Sequence, residues 1–550
     1  MAESDVDRAV GTVRQAFQQF SAFSQEQVDK VVDAMHEACL PNLEKWARMA
    51  HEETGYGTIA DKTEKNRFAA EDVYRYIRPM KTVGFISADS GLGIYEVASP
   101  MGVVAAVIPS TNPTSTAIYK ILISLKARNG IVVSPHPSAK NCIKAVCDAM
   151  HDAAAAAGAP RGIIACLASP TIEDTQALMR NGGTNVILAT GGIGLVNAAY
   201  SSGKPSYGVG PGNVPAFIER TAAVSKAVKD VIAGKSFDWG TICASEQSLI
   251  ADLPVAAQVK EELKRNGGYM VNEKEKAQLE VLVVDKEGRL NPKVVGRSPR
   301  YIAEKAGFSV SDSVRALVVP EKGVGRDFPL SLEKLSPVLS YFEEDGWEAG
   351  CRRCIEVLQY GGLGHTLCLH TQDLEVIRQF ALKKPVFRII INSPGTHGAI
   401  GFSTNLPAAL TLGCGALGNN ITSDNITPLH LIDRKRVCYE ARAVGGGKVI
   451  PLPPLVKQGD EIEDAAKRFL AQRMGAAPRQ GEGQRRAGAN ADVAPSRASV
   501  APALDFVSES DVRQAVKSGL KLRIHPRTII TPSARELGEA HQIFERIPKE

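Results

Sequence analysis

The chain has 550 residues, of which 44% are hydrophobic and 23% are charged, and its net charge is +5 at pH 7. This length predicts two or three domains rather than one core, and the apolar content excludes a chain that is disordered over most of its length. The small net charge and the lack of a basic stripe interleaved with aromatic residues argue against nucleic acid as a partner.

The N-terminal sequence argues against export or membrane insertion. Residues 1–10, MAESDVDRAV, have no basic start followed by an apolar run. No segment reaches the roughly 18 uninterrupted apolar residues of a membrane span. We therefore expect a cytoplasmic protein with no membrane partner.

The ten cysteines stand at irregular spacings, which is typical of reduced thiols in a large unsecreted protein rather than of a disulfide framework. Cys351 and Cys354, in the sequence CRRC, have the spacing of half a zinc site. Because no second pair completes four ligands, we expect these thiols to lie on a helix and the protein to bind no metal.

Short apolar runs rich in β-branched residues alternate with amphipathic stretches through the middle of the chain. This rhythm predicts doubly wound parallel sheets, in which ligands bind at the carboxyl ends of the strands. A second alternation starts near Phe237 and continues to about Ile391, so we expect an α/β protein with two such domains. The strand candidates of the first alternation are GVVAAVIP (102–109), GIVVSP (130–135), NVILATGG (185–192) and NVPAFIE (213–219).

Two of these runs are followed by residues suited to ligand binding. Asn112 follows the first run, where its amide could face a cleft, although a turn residue before Pro113 is the alternative. Gly191, Gly192 and Gly194 follow the third run and precede a helical stretch. That context suits a dinucleotide phosphate on backbone N–H groups, but a simple strand-to-helix turn explains it as well.

Cys243 lies in the segment SFDWGTICAS, residues 236–245. Free cysteines are among the most buried residue types, so a buried filler is one interpretation. The other is a thiolate nucleophile acting on a carbonyl, which needs donors for the oxyanion, an acceptor for the leaving group and a way to release product.

A set of longer segments follows in one order along the chain: NPTSTAIYKILISLKARNGIVVSPHP, ILATGG, AAYSSGKPSYGVGPGN, SFDWGTICASEQS, EKLSPVL, GGLGHT and LTLGCGALGNN. In these segments the chain, from about Tyr95 to Ala443, resembles the CoA-acylating aldehyde dehydrogenases, and most closely the aldehyde dehydrogenase half of bifunctional aldehyde-alcohol dehydrogenases. The resemblance ends near Pro451, without the iron-dependent alcohol dehydrogenase half. It implies two Rossmann-type domains with an oligomerisation element, in a homo-oligomer that is a dimer or a tetramer.

The resemblance implies a mechanism. The Cys243 thiolate would attack a short-chain aldehyde, and Asn112 with the backbone N–H of Cys243 would stabilise the oxyanion. Hydride would pass to the nicotinamide, and coenzyme A would take the acyl group from the enzyme thioester. His365 is expected near the substrate or the CoA thiol, with a structural histidine as the alternative.

The resemblance also implies a cofactor site. Glu333 matches the carboxylate that grips the nicotinamide ribose. SPHP, residues 134–137, stands where hydrolytic relatives have a lysine near the adenosine ribose, so the loss of a phosphate-binding cation favours NAD over NADP. The expected cofactor-binding residues are Ser134, His136, Gly191, Gly192, Gly210 and Glu333.

Hydrolytic aldehyde dehydrogenases carry a water-activating glutamate where this chain has Gly208. Without that base the thioester is left for an external thiol, which favours acyl-CoA as product. The alternatives are a hydrolytic enzyme that gives free acid and a microcompartment scaffold that has kept an enzyme fold.

We expect five regions along the chain. Residues 1–236 would hold the N-terminal helices and the NAD-binding domain, and 237–420 the catalytic domain. Residues 421–474 would return to the cofactor domain and carry the oligomerisation segment. The stretch 475–503 lacks aromatic residues and predicts a disordered linker before a small tail module, 504–550.

Within the tail, RTIITPSARELGEA resembles a short segment of bacterial microcompartment-associated ethanolamine-utilisation proteins. This resemblance implies an enzyme inside a bacterial microcompartment, with a shell or cargo protein as partner of residues 504–550. A solvated appendage or a small oligomerisation arm is the alternative.

Overall fold

The computed structural model describes residues 4–168, 170–445, 447–455, 504–507, 511–512, 515–516, 521–530 and 532–546. The chain divides into a large unit, Met1–Ala477, and a small unit, Pro478–Glu550. The predicted linker, 475–503, and the end of the predicted oligomerisation segment beyond residue 455 lie outside the described residues.

Helices and strands alternate along most of the large unit. The helices are α1 (Asp5–Phe20), α2 (Gln25–Cys39), α3 (Leu43–Thr54), α4 (Ile59–Arg67), α5 (Val73–Ile77), α6 (Pro113–Lys126), α7 (Lys140–Ala156), α8 (Ile172–Arg180), α9 (Ile193–Tyr200), α10 (Val224–Ser236), α11 (Leu253–Arg265), α12 (Glu273–Val283), α13 (Pro299–Ala306), α14 (Gly346–Tyr360), α15 (Leu374–Lys383), α16 (Gly395–Ala399) and, in the small unit, α17 (Pro532–Ala540). The strands are β1 (Gly84–Asp89), β2 (Ile94–Pro100), β3 (Val103–Ile108), β4 (Gly130–Pro135), β5 (Ile164–Cys166), β6 (Val186–Thr190), β7 (Ser206–Val209), β8 (Val214–Ile218), β9 (Glu246–Asp252), β10 (Gly268–Met270), β11 (Ala316–Pro320), β12 (Val338–Glu344), β13 (Gly364–His370), β14 (Val386–Ile391), β15 (Ile432–Cys438) and, in the small unit, β16 (Leu504–Val507), β17 (Leu522–Ile530) and β18 (Phe544–Arg546).

The first parallel sheet has the strand order β5-β4-β3-β6-β7. Alternate residues of its strands pack on opposite faces: Val104 and Ala106 contribute to a core with α2, α6 and α7, whereas Val103 and Ala105 contribute to a core with α1 and α8. Because helices cover both faces, the strands are continuous apolar runs rather than alternating ones. This is the doubly wound arrangement, whose ligands bind where the strand order reverses.

The second parallel sheet has the strand order β10-β11-β12-β9-β8-β13-β14. Its two faces are also covered, by α10 and α11 on one side and by α14 and α15 on the other. Cys351 and Cys354 are buried free thiols on α14, where they pack in the apolar core beneath the sheet. The predicted helical position of this pair therefore agrees with the structure.

A third sheet of the large unit is antiparallel, in the order β1-β2-β15. It brings the chain near residue 435 back beside the strands that precede the first parallel sheet. The small unit has its own parallel sheet, β16-β17-β18, with a core of Val507, Val512, Ile524 and Ala534. A core of this size adds little stability by itself.

The predicted α/β class with doubly wound sheets is confirmed. Within the part of the chain that the structure describes, no helix combines the length and apolar content needed to cross a membrane.

Candidate active site

A cavity of about 770 Å³ lies where the two parallel sheets of the large unit meet. Its lining comes from the carboxyl ends of β3, β4, β6 and β7 and from the segments that lead into β9 and β12. This volume falls in the range of cofactor and substrate sites. The sequence-predicted residues that line it are Asn112, His136, Gly191, Gly192, Gly210, Cys243 and Glu333.

Cys243 lies on the turn between α10 and β9 and is partly buried. Burial, and to a smaller extent the nearby Glu333 and Cys414, raise the pKa of the Cys243 thiol to about 12, and the guanidinium of Arg388 only partly offsets this. The protein without ligands therefore holds a neutral thiol at pH 7, and attack on a carbonyl requires that this thiol lose its proton.

Asn112 precedes α6, which begins at Pro113, a residue favoured at the first helical position. Its side chain does not cap the helix. Instead, its Oδ1 accepts a hydrogen bond from Lys65 Nζ at 2.6 Å, and its Nδ2 donates to the carbonyl of Thr241 at 3.3 Å. The amide nitrogen thus lies toward the turn that carries Cys243.

The glycine turn after β6 forms the start of α9, with Gly192 as its N-cap residue. A Cβ on Gly192 would meet no atom within 4 Å, so the backbone there borders open space. A helix N-terminus with accessible N–H groups favours an anionic ligand such as a pyrophosphate. Both glycines line the cavity, and their cofactor role stays a prediction.

Glu333 also lines the cavity, before β12, and its Oε1 accepts a hydrogen bond from the N–H of Gly212 at 2.8 Å. Burial raises the pKa of Glu333 to about 7, and this hydrogen bond lowers it only in part. Gly212 itself is closely surrounded, because a Cβ there would lie 2.2 Å from the carbonyl oxygen of Cys243. The backbone at Gly212 therefore joins Glu333 to the nucleophile turn.

Two predicted residues do not line the cavity. Ser134 is buried in β4, and its hydroxyl is 2.9 Å from that of Thr175, a residue that does line the cavity. His365 is fully buried at the start of β13, where its Nδ1 is 3.1 Å from Thr366 Oγ1. Burial and the charge of Arg388 lower the pKa of His365 to about 3, so the imidazole is neutral at pH 7.

His365 nevertheless lies close to the nucleophile turn. A Cβ on Gly212 would be 3.1 Å from the imidazole Nδ1 and 2.2 Å from the Cys243 carbonyl oxygen. Among the described residues, no hydrogen-bond partner reaches the buried Nε2 of His365. Such a nitrogen is available to a ligand or to water.

Gly208 has no room for a larger side chain. A Cβ there would lie 2.7 Å from the hydroxyl oxygen of Tyr200 and 2.8 Å from a methyl carbon of Val196. The Gly208 carbonyl also accepts hydrogen bonds from that hydroxyl at 3.2 Å and from Asn420 Nδ2 at 2.5 Å. A glutamate could not occupy this position without displacing Tyr200.

Lys65 contacts Asn112 directly but is not among the residues predicted from the sequence. Lys62 and Lys65 are three residues apart on α4, so they share one face of the helix, and both are buried. Lysines are mostly exposed in proteins, so the sequence IADKTEKNR alone does not predict that these two are buried. Their burial could be predicted only if the face of α4 that packs on the protein interior were known.

Comparison with known proteins gives the family. Residues 1–275 match the aldehyde dehydrogenase family. The bifunctional aldehyde-alcohol dehydrogenase of Escherichia coli K12 is 42% identical over 443 residues, which cover 80% of this chain and 50% of that protein. The acetylating succinate-semialdehyde dehydrogenase of Clostridium kluyveri is 36% identical over 437 residues, 80% of this chain and 96% of that protein.

Solved structures agree with these matches. The crystal structure of an acetylating aldehyde dehydrogenase from Geobacillus thermoglucosidasius is 47% identical, with a TM-score of 0.79, and covers 80% of this chain and 98% of that one. The chain thus spans about half the length of the bifunctional relative but nearly all of the shorter ones. The predicted resemblance to acylating aldehyde dehydrogenases is confirmed, and the chain belongs to the aldehyde dehydrogenase family.

Proposed function

We propose that this protein oxidises a short-chain aldehyde to its acyl-CoA, with NAD as the hydride acceptor and a thioester on Cys243 as the intermediate. The observation that carries the proposal is the single cavity that brings Cys243 and Asn112 together with the glycine turn and Glu333. Such a site holds a nucleophile, an oxyanion donor and a dinucleotide platform within one enclosure.

The residues present fit a dinucleotide. The N-terminus of α9 offers N–H groups beside open space at Gly192, and Glu333 lines the same cavity as a hydrogen-bond acceptor for a ribose hydroxyl. When bound, NAD supplies the hydride acceptor. An engineered glycolyl-CoA reductase, 29% identical, was solved with NADP+ bound, so the preference for NAD is tested with both cofactors.

The residues of this chain have three tasks in the proposed reaction. Cys243 loses its thiol proton and forms the carbon–sulfur bond to the aldehyde carbon, and the carbonyl oxygen then carries a negative charge. The Nδ2 of Asn112 and the backbone N–H of Cys243 donate hydrogen bonds to that oxygen. Loss of hydride from the same carbon restores the carbonyl and leaves a thioester on Cys243.

The release step favours a thiol acceptor over water. Tyr200 and Val196 fill the space beside Gly208, so no carboxylate stands there to activate a water molecule. A propionaldehyde dehydrogenase from Rhodopseudomonas palustris, 29% identical, was solved with bound CoA and an acylated cysteine. By analogy, coenzyme A is the acceptor that we propose here, with His365, which lies beside the Cys243 turn, near its thiol.

The test is NADH formation from a panel of short aldehydes, measured with and without coenzyme A, with NADP+ in parallel and with analysis of the product. We expect acyl-CoA, formed only when coenzyme A is present. Free acid at the same rate in both conditions would contradict the proposal and indicate a hydrolytic enzyme. A lack of any aldehyde-dependent NADH formation would favour the scaffold alternative.

We further propose that residues 504–550 dock the enzyme on a shell or cargo protein of a bacterial microcompartment, within the cytoplasm. A propionaldehyde dehydrogenase from the fucose-utilisation microcompartment of Clostridium phytofermentans has a TM-score of 0.72 and 26% identity to this chain, over 80% of its length. Removal of residues 504–550 should abolish co-sedimentation with shells and leave turnover within about twofold. Unchanged co-sedimentation would contradict the docking role.

We also propose a homo-oligomer, a dimer or a tetramer, held in part by the antiparallel sheet of β1, β2 and β15. Exposed apolar side chains on and near this sheet, among them Phe85, Leu92 and Ile94, support an interface there. Light scattering coupled to size exclusion should give a multiple of the 58.8 kDa chain mass. A monomer at micromolar concentration would contradict this proposal.

A further inference from the structure

Three buried charged groups form a cluster behind the nucleophile turn. Lys62 and Lys65 extend from α4, and Asp238 lies five residues before Cys243; the side chains are 2%, 4% and 0% exposed. Lys62 Nζ is 3.0 Å from Asp238 Oδ2, and Lys65 Nζ bonds the same oxygen. We call these three residues the ion cluster.

The ion cluster is fully embedded in hydrogen bonds. Asp238 Oδ1 accepts from the N–H of Thr58 at 2.9 Å, and Oδ2 also accepts from the Thr241 hydroxyl at 2.7 Å. The backbone N–H of Asp238 donates to Asp61 Oδ2 at 2.9 Å. Buried charges persist only when paired and bonded in this way, so loss of one partner leaves an uncompensated charge.

The backbone at the cluster has an unusual conformation. Asp238 and Trp239 have φ values of 47° and 52°, and Gly240 follows with 72°. Residues with a Cβ rarely adopt this left-handed region, and such conformations persist where surrounding structure imposes them. The segment leads directly into Thr241 and Cys243, which line the cavity. The ion cluster is the structure that holds this segment.

Lys65 is the member of the ion cluster that contacts Asn112, the proposed oxyanion donor. Its Nζ donates to Asn112 Oδ1 at 2.6 Å, whereas the hydrogen bonds of Lys62 Nζ go to Asp238 and to the carbonyl of Thr111. An ammonium group can only donate hydrogen bonds, so the oxygen of the Asn112 amide, and not its nitrogen, must face Lys65. The amide nitrogen then faces away from Lys65 and donates to the Thr241 carbonyl at 3.3 Å and to the Thr111 hydroxyl at 3.2 Å, two residues that line the cavity.

We propose that Lys65 is a positioning residue for the oxyanion site, which fixes the orientation of the Asn112 amide and, through Asp238, the turn that presents Cys243. The inference rests on the proposed function. The cation also polarises the amide to which it donates, which strengthens the hydrogen bonds that Asn112 Nδ2 gives. Lys65 itself does not touch the substrate.

Charge at Lys65 is sensitive to pH. Burial lowers the pKa of Lys65 to about 8, with Asp238 and Asp61 opposing the shift and Lys62 adding to it. Above that pH the neutral amine no longer has to donate to Asn112 Oδ1. The rise of the Cys243 thiolate fraction with pH is common to the wild type and to Lys65→Arg, so the ratio of wild-type to Lys65→Arg turnover should fall on the alkaline side with a midpoint near pH 8.

The experiment measures kcat and KM for NADH formation in the full chain for the wild type, Lys65→Met, Lys65→Arg and Lys62→Met, with NAD binding measured separately. We expect Lys65→Met to lower kcat about 100-fold while the Kd for NAD changes less than about threefold, since one oriented donor is worth about this much. Lys62→Met removes the same charge from Asp238 but spares Asn112, so its kcat should fall less than about tenfold. Lys65→Arg should restore most of the rate.

A double substitution tests whether Lys65 acts through Asn112. Lys65→Met combined with Asn112→Ala should be slower than Asn112→Ala alone by no more than the factor that Lys62→Met costs, because the loss at Asn112 is shared and only the effect through Asp238 remains. The inference would be overturned if the rate losses of the two single substitutions multiply in the double variant, or if the kcat of Lys65→Met equals that of the wild type.

Two further results keep the test decisive. If Lys65→Met does not fold, the ratio of wild-type to Lys65→Arg turnover decides the question: a fall of this ratio above about pH 8 supports the inference, and a ratio that does not change with pH overturns it. A wild-type protein without aldehyde-dependent NADH formation would overturn the proposed function itself and this inference with it, whereas an active wild type with an equally active Lys65→Met overturns the inference alone.

Discussion

The two parallel sheets of the large unit contribute to the cavity from opposite ends of their strands. The first sheet contributes the turns that follow β3, β4, β6 and β7, and the second contributes the segments that precede β9 and β12. In the first sheet, helix N-termini begin where strands end, so N–H groups collect there for an anionic ligand. In the second sheet, the residues that line the cavity precede the buried strands β9 and β12.

This difference separates two kinds of chemistry. The first sheet offers glycine turns and backbone donors, which suit a phosphate-bearing cofactor. The second sheet offers a thiol and a carboxylate whose pKa values are both raised, chiefly by burial. A dry environment keeps a nucleophile neutral until a ligand arrives, whereas the cofactor side needs no titrating group. Substitutions on the two sides should therefore have different signatures.

The largest expected effect comes from the second sheet. Cys243→Ala should lower aldehyde-dependent NADH formation by on the order of 10⁴-fold or more, because the proposed thioester forms on Cys243. The Kd for NAD should stay within about threefold of the wild type, since most of the proposed cofactor contacts lie on the first sheet. Steady-state kinetics and equilibrium binding test this.

The matched variant for Cys243→Ala is Cys354→Ala, which removes a buried thiol from α14 beneath the same sheet. It should keep turnover within about twofold and lose only some stability. Normal turnover in Cys243→Ala would remove the proposed mechanism.

Asn112 follows β3 of the first sheet, whereas the proposed reaction takes place at Cys243, which precedes β9 of the second sheet. Asn112→Ala should lower kcat about 10²- to 10³-fold with little change in the KM for the aldehyde, because an oxyanion donor acts mainly in the transition state. Steady-state kinetics across aldehyde concentrations distinguish the two parameters. A higher KM at unchanged kcat would mean that Asn112 binds the substrate and does not stabilise the oxyanion.

The raised pKa of Cys243, about 12, predicts a steep dependence of thiol reactivity on pH. Below the pKa the thiolate fraction rises about tenfold for each pH unit. Alkylation of Cys243 by iodoacetamide in the cofactor-free protein should follow this slope from about pH 7 to pH 9, as measured by mass spectrometry. The exposed Cys438 of the same chain is the internal comparison and should react faster at pH 7. A plateau for Cys243 below pH 8 would contradict a neutral resting thiol.

Glu333 should give the smallest effect, and one of opposite sign. Its pKa is raised to about 7, so the folded protein binds its proton more tightly than the unfolded chain does, and stability falls as the pH rises through 4.5 to 7. Glu333→Gln removes this pH-dependent loss of stability, and its side-chain oxygen still accepts the hydrogen bond from the Gly212 N–H. At pH 8 the variant should be more stable by on the order of 2 kcal/mol, given the partial exposure of the side chain.

The same variant should bind NAD more weakly than the wild type does. We expect a KM for NAD that is raised several-fold at pH 8, together with a higher Tm at that pH and a Tm near that of the wild type at pH 4. A lower Tm of Glu333→Gln at pH 8 would show that the carboxylate is stabilising in the folded state.

The sequence predicted most of this site because the relevant residues are local motifs. Asn112 and the glycines at 191 and 192 follow apolar runs directly, and the structure brings them to one cavity with Cys243. Topology alone would have missed Cys243, since it precedes a strand, whereas the expected ligand edge follows strands. The motif that resembles acylating enzymes identified it.

The remainder depends on contacts between distant segments. Lys65 and Asp238 are separated by 173 residues, and no sequence pattern pairs one buried charge with another at that distance. Ser134 was expected at the cofactor, but the alternation of side chains along β4 turns it toward Thr175 on α8. Whether His365 can bind a ligand depends on whether its Nε2 already has a hydrogen-bond partner, and a sequence does not reveal this.

The connection between the two sheets is only four residues long, from the end of β7 at Val209 to the start of β8 at Val214. Along it, the N–H of Gly212 is bonded to Glu333, and its Cα hydrogens face the Cys243 carbonyl. The connection therefore works as a spacer of fixed length. One inserted residue would add up to about 3.5 Å of chain, more than a hydride transfer or an oxyanion hydrogen bond can absorb. We therefore expect an insertion in this connection to disturb the proposed geometry between the cofactor and the Cys243 thiol, whereas an insertion in an outer loop would leave it unchanged.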